Sequence, residues 1–135
     1  LNKIASGGEL ARLMLALKVV LAEVGVAGSL VFDEVDSGIG GATAAAVGER
    51  LARLAEHRQI LVVTHSPQVA AMAMNHWIVM KGGDQCVTTN IVPLFEDEAR
   101  QEEIARMLSG AEVTEEARAA AAKLLESNFV KKSAA

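Results

Sequence analysis

Apolar positions near the start of the chain recur at helical spacing. Leu10, Leu13, Met14, Leu17, Leu21 and Val24 fall at i, i+3, i+4, i+7, i+11 and i+14, so the pattern predicts a helix from Ser6 to about Val24. Gly25 and Gly28 mark its end. The pattern then changes. "SLVFDE" and "QILVVTH" are short continuous apolar runs that close on polar residues, and both read as buried strands. Between them lie a loop, "VDSGIGG", and a second amphipathic helix over Ala42–Glu56, with Val47, Leu51 and Leu54 inward and Glu49, Arg53 and Glu56 outward. Ser66 and Pro67 occupy the N-cap and N1 positions of a short helix. "HWIVMK" and "CVTTNIVPL" predict two strands joined by a turn at Gly82-Gly83. From Glu96 the chain becomes charged and Ala-rich. Two helices are expected there, Asp97–Leu108 and Glu115–Ser127, the second capped by Thr114. Residues 129–135 read as a frayed end.

Helix, strand, helix, strand, helix is the rhythm of an α/β fold with a parallel sheet flanked by helices. Runs such as "LVF" and "ILVV" suit a sheet covered on both faces. The expected organisation is a lobe over residues 1–95 and a C-terminal helical appendage over 96–128 of the same domain.

Charge and cysteine usage narrow the function. The 135 residues carry a formal net charge of −4, so no dedicated basic surface for nucleic acid is expected on this segment. Cys86 is the only cysteine, which excludes an intrachain disulfide and fits a reducing compartment. The longest apolar stretch, Leu10 to Phe32, is interrupted by Arg12, Lys18 and Glu23, so it does not read as a membrane span. The opening at Leu1, on the lead-in to a motif, reads as part of a longer protein.

Three places offer chemistry. In open α/β sheets, ligands bind beyond the carboxyl ends of the strands. One predicted strand ends in Asp33-Glu34 and the next in Thr64-His65, so ionisable groups reach one edge. Asp33 and Glu34 read either as solvated acids ending a strand or as a working pair. A hard cation such as Mg²⁺ takes one or two carboxylates plus waters and phosphates, and a neighbouring carboxylate can orient or deprotonate a water. His65 is either hydrogen-bonded at a strand end or placed against a transferring phosphoryl group or its water. The third place is "SGGE". Ser6 and Glu9 form a capping box, but Gly7 and Gly8 weaken a first helical turn by roughly 0.5–1 kcal/mol each. Bare backbone at a helix N-terminus admits an anion closely, and Ser6 adds a hydroxyl donor. Glu9 is held on the cap or contacts something else. No G-x-x-x-x-G-K-[ST] occurs, and the chain contains no Gly-Lys pair, so a phosphate-gripping loop is missing from this segment.

The ordered set resembles the C-terminal half of a P-loop, ABC-type ATPase head. "ASGGE" resembles the signature motif, "SLVFDE" the Walker B strand, "VDSG" the D-loop and "VVTHSP" the switch-histidine strand. "DEVDSGIGG" departs from the "DEPTSALD" usual in transporter ATPases. Together with "GGELARLMLALKVVLA", "LVVTHSPQVAA" and "EEIARMLSGAEVTEEARAAAAKLL", it resembles the bacterial RecN family of SMC-like DNA-repair ATPases. The resemblance runs from about Leu1 to Leu125 and is weakest over "MAMNHWIVMKGGDQCVTTN".

That resemblance implies a set of roles. ATP and Mg²⁺ are the implied cofactors. Asp33 holds the metal, and Glu34 and His65 are catalytic. Ser6, Gly7, Gly8 and Glu9 meet a nucleotide bound by a partner head, and Asp36 and Ser37 lie at the head–head seam. The implied partners are an N-terminal, Walker-A-bearing half of the same protein, a second head in a homodimer, and DNA through the full-length protein, with no membrane. The implied setting is cytoplasmic and nucleoid-associated, and the segment alone is expected to be inactive. Two other readings stay open: a subunit of another ABC ATPase such as a transporter, and a non-catalytic docking module for a P-loop partner.

Overall fold

A computed structural model describes residues 28–82, 88–110 and 112–132, with side chains through 126. The proposed signature helix and its Ser6, Gly7, Gly8 and Glu9 lie outside the described residues, as does Cys86. The elements are β1 (Ser29–Asp33), α1 (Gly41–Leu54), β2 (Gln59–Val63), α2 (Pro67–Ala71), β3 (His76–Gly82), β4 (Thr88–Leu94), α3 (Asp97–Ser109) and α4 (Glu115–Lys132). They form two compact units, Leu1–Met72 and Ala73–Ala135.

The first unit is built on a parallel pair. β1 and β2 run in register from Ser29 opposite Gln59 to Asp33 opposite Val63. Parallel neighbours need a long crossover, and α1 supplies it. Side chains alternate across a strand, so Leu30, Phe32, Ile60 and Val62 share one face. That face packs on Ala44, Leu51 and Leu54 of α1 and Val69 of α2, with Phe32 only 4% exposed. The other face carries Val31, Leu61 and Val63, exposed at 69%, 46% and 51%. Among the described residues, cover is therefore seen on one face only. Helix α1 also buries Gly48 against α2, where an added Cβ would lie 2.8 Å from Met72 Cγ. Sequence periodicity had marked the leucines but not this close approach.

The second unit is an antiparallel hairpin with two helices. β3 pairs with β4 from His76 opposite Leu94 to Gly82 opposite Thr88. The unit begins at Ala73, and its hairpin is tied to α3: Arg100 donates to the carbonyl of Ala73, at the entrance to β3. Thr114 caps α4 as expected, its Oγ1 accepting from Ala117 N at 3.2 Å. Helix α4 then continues to Lys132, through Phe129–Lys132, where a frayed end was expected. Arg118 crosses to Glu102 and so joins the two helices. Among the described residues, no helix is long and apolar enough to cross a membrane.

Candidate functional site

β1 and β2 are parallel, so both deliver their last residues to the same edge of the first unit. Asp33 ends β1 and is exposed on the outer side of the sheet, on the face that also carries Val31 and Val63. Glu34 follows with φ +49°, the one positive value at a non-glycine among the described residues. An L-residue in this region costs of order 1–3 kcal/mol, and its surroundings must hold it there. Two backbone bonds do so. Glu34 N donates to Val63 O at 3.1 Å, which extends the parallel ladder, and Glu34 O accepts from Ser37 N at 3.0 Å, which closes the turn. Continued strand geometry would point Glu34 toward the face that holds Phe32. The left-handed residue breaks the alternation, and Glu34 is exposed like Asp33. The turn that presents two adjacent carboxylates at a strand end is thus a local backbone event at Glu34. Gly38, at φ +75°, continues the loop behind exposed Ser37.

Asp36, which the resemblance sets at the head–head seam together with Ser37, is 1% exposed. It points inward because the first turn after β2 supplies donors. Oδ2 accepts from Thr64 Oγ1 at 2.8 Å and from His65 N at 3.3 Å, and it lies 3.4 Å from His65 Nδ1. Thr64 Oγ1 in turn accepts from Ser66 N at 3.0 Å. Ser66 then caps α2 as predicted, with Pro67 at N1 and Oγ accepting from Val69 N at 3.5 Å. Asp36 Oδ1 is buried without a hydrogen-bond partner. The His65 side chain remains 76% exposed. The loop after β1 and the turn after β2 are therefore coupled through one buried carboxylate. Thr64, which the sequence offered only as the residue before a histidine, is part of that coupling.

The structure thus brings Asp36, Thr64 and His65 into contact and sets Asp33 and Glu34 at the same strand edge. Among the described residues there is no cluster of three or more His, Cys, Asp or Glu side chains fit to hold a metal ion alone. An exposed carboxylate at Asp33 does fit Mg²⁺, which binds through one or two carboxylates and takes its other ligands from water and phosphate. His57 is exposed on the surface. His76 is half-buried at the start of β3. Its pKa is lowered first by burial and then by the nearby Arg100 charge, against an opposing pull from Glu103.

The chain matches no protein-family model. It is 51% identical over 126 residues to the DNA repair protein RecN of Xylella fastidiosa, a match covering 93% of this chain and 23% of that protein. It is 52% identical over 122 residues to RecN of Streptomyces coelicolor, covering 90% of this chain and 21% of the relative. The chain belongs to the RecN family. RecN of Deinococcus radiodurans is 54% identical over 110 residues, covering 82% of this chain and 19% of its own length. The chain therefore spans about a fifth of the length of the RecN proteins it matches. In fold, it resembles a solved chain described as "Structural biochemistry of ATP-driven dimerization and DNA stimulated activation of SMC ATPases". The TM-score is 0.66, at 21% identity, over 79% of this chain and 64% of the other. An α/β architecture with a parallel sheet and flanking helices, like that neighbour, is the fold of this RecN segment.

Proposed function

We propose that this RecN segment is the C-terminal half of an SMC-like ATPase head that serves recombinational repair of DNA double-strand breaks. ATP is hydrolysed where two heads meet, and an N-terminal half of the same protein supplies Walker A. The observation that carries this reading is the strand edge itself: exposed Asp33 and Glu34 beside the Thr64–His65 turn, in a chain about half identical to DNA repair proteins. Asp33 holds Mg²⁺, which when bound neutralises phosphate oxygens. Glu34, turned outward by its left-handed backbone, orients or deprotonates the attacking water. His65 presents its exposed ring to the same region. Ser6, Gly7, Gly8 and Glu9 reach the nucleotide of the opposite head, and Ser37 lies at the seam. Such a group supplied in trans can be worth on the order of 10³–10⁵ in rate. DNA is engaged through the full-length protein, in the cytoplasm at the nucleoid, since this segment is net acidic.

Glu34→Gln in the full-length protein tests the assignment. It keeps the size of the side chain and removes its basicity. Steady-state hydrolysis should fall by about 10²–10⁴, the range for general acid–base groups, while ATP binding persists. Turnover at the wild-type rate refutes the role.

A further inference from the structure

Asp36 invites explanation because burying a carboxylate is costly unless donors meet it. Its side chain is fully buried, whereas the His65 ring beside it is 76% exposed. A carboxylate serving only to close the turn would need no imidazole. The turn is already closed by Ile39 N donating to Asp36 O at 3.1 Å and Ser37 N donating to Glu34 O at 3.0 Å. The side chain instead reaches across to the other strand end. Thr64 Oγ1 donates to Oδ2 at 2.8 Å and is itself fixed by Ser66 N at 3.0 Å, so the position of Oδ2 is set from two sides. His65 N adds a third constraint at 3.3 Å. The ring nitrogen nearest this fixed oxygen is Nδ1, at 3.4 Å.

We propose that Asp36, anchored by Thr64, is a positioning residue that fixes the His65 imidazole with Nδ1–H toward Oδ2 and Nε2 toward solvent. This rests on the ATPase reading above and deepens it. A neutral imidazole donates from one nitrogen and accepts at the other, and the hydrogen bond made by one decides what the other offers. With the proton on Nδ1, Nε2 is an acceptor. His65 then receives a hydrogen bond from the attacking water and helps to orient it beside Glu34. The 3.4 Å separation is long for a hydrogen bond. Such contacts are often loose before substrate binds and tighten in the reacting complex. The position after β1 thereby controls the histidine after β2 without touching the nucleotide.

The test uses steady-state ATP hydrolysis by the full-length protein. Asp36→Asn replaces a pure acceptor by a group that can donate to Nδ1, which would move the imidazole proton to Nε2. It should lower kcat by about 10- to 10²-fold, the scale found when hydrogen-bond partners of metal-ligating histidines are removed, with KM for ATP unchanged. Thr64→Val removes the anchoring hydroxyl and should lower kcat in the same direction, whereas Thr64→Ser should restore it. The decisive comparison is a double-mutant cycle. If Asp36 acts through His65, Asp36→Asn has no further effect on kcat in a His65→Ala background. Multiplicative losses, or equal rates for Thr64→Val and the wild type, overturn the positioning role and leave the ATPase reading intact. Wild-type turnover in His65→Ala overturns the catalytic role of His65 and the positioning role of Asp36 with it, whereas no hydrolysis by the unsubstituted full-length protein overturns the ATPase reading.

Discussion

Phe32 and Val31 are neighbours on β1 with opposite expected responses to truncation. Phe32 is 4% exposed, at the centre of the cluster with Ala44, Leu51, Leu54 and Val69. Phe32→Ala removes a whole ring from that cluster. Such substitutions cost about 3–5 kcal/mol, because lost transfer energy and an unfilled cavity add. Val31, on the opposite face, is 69% exposed. Full burial of a valine is worth roughly 1.5–3 kcal/mol, and about a third of that is in play here, so Val31→Ala should cost less than about 1 kcal/mol. Urea unfolding followed by circular dichroism measures both variants, and an unchanged m-value identifies a change in stability rather than in the state unfolded. Hydrogen exchange of the β2 amides assigns the loss to the first unit. Equal losses, or a larger loss for Val31→Ala, would refute the facial assignment, because a one-residue slip in register exchanges the two faces.

Two further predictions concern packing and pH. Gly48→Val should lower the melting temperature by several degrees: overpacking against Met72 costs roughly 1–3 kcal/mol, whereas Val improves on Gly in helix propensity by only a few tenths. A rise in melting temperature would contradict the close approach of α1 and α2. His76 has a folded-state pKa below its ordinary 6.5, so the unfolded chain binds its proton more readily. Stability from this group is present above pH 6.5, starts to fall as pH drops past that value, and is lost once pH passes the lowered folded value. Thermal melts of the chain between pH 8 and pH 5 should show this loss, and His76→Gln should flatten the profile. An unchanged slope in the variant would exclude His76 as its source.

Local patterns made much of the fold legible. Apolar runs ending in polar residues located β1 and β2, and the Ser66-Pro67 and Thr114 caps located two helix starts, because these signals act within a few residues. Asp33, Glu34 and His65 were recognisable as strand-end residues for the same reason. The burial of Asp36 was not legible, since its partners stand 28 and 29 residues further on. The burial of Gly48 depends likewise on Met72, which no helical period reveals. Val31, Leu61 and Val63 read as core because β-branched and aliphatic residues in an unbroken run describe a doubly covered strand. Among the described residues that face stands exposed. At the C-terminus, "SNFV" offers weak helix formers, yet α4 continues through it to Lys132.

The proposed function makes this RecN segment half of an ATPase site. The most direct measurement is ATP hydrolysis by the segment alone, then mixed with a separately prepared N-terminal half carrying Walker A. Turnover is expected only in the mixture and should be abolished by Glu34→Gln. Turnover by the segment alone, or a mixture indifferent to Glu34→Gln, would contradict that function.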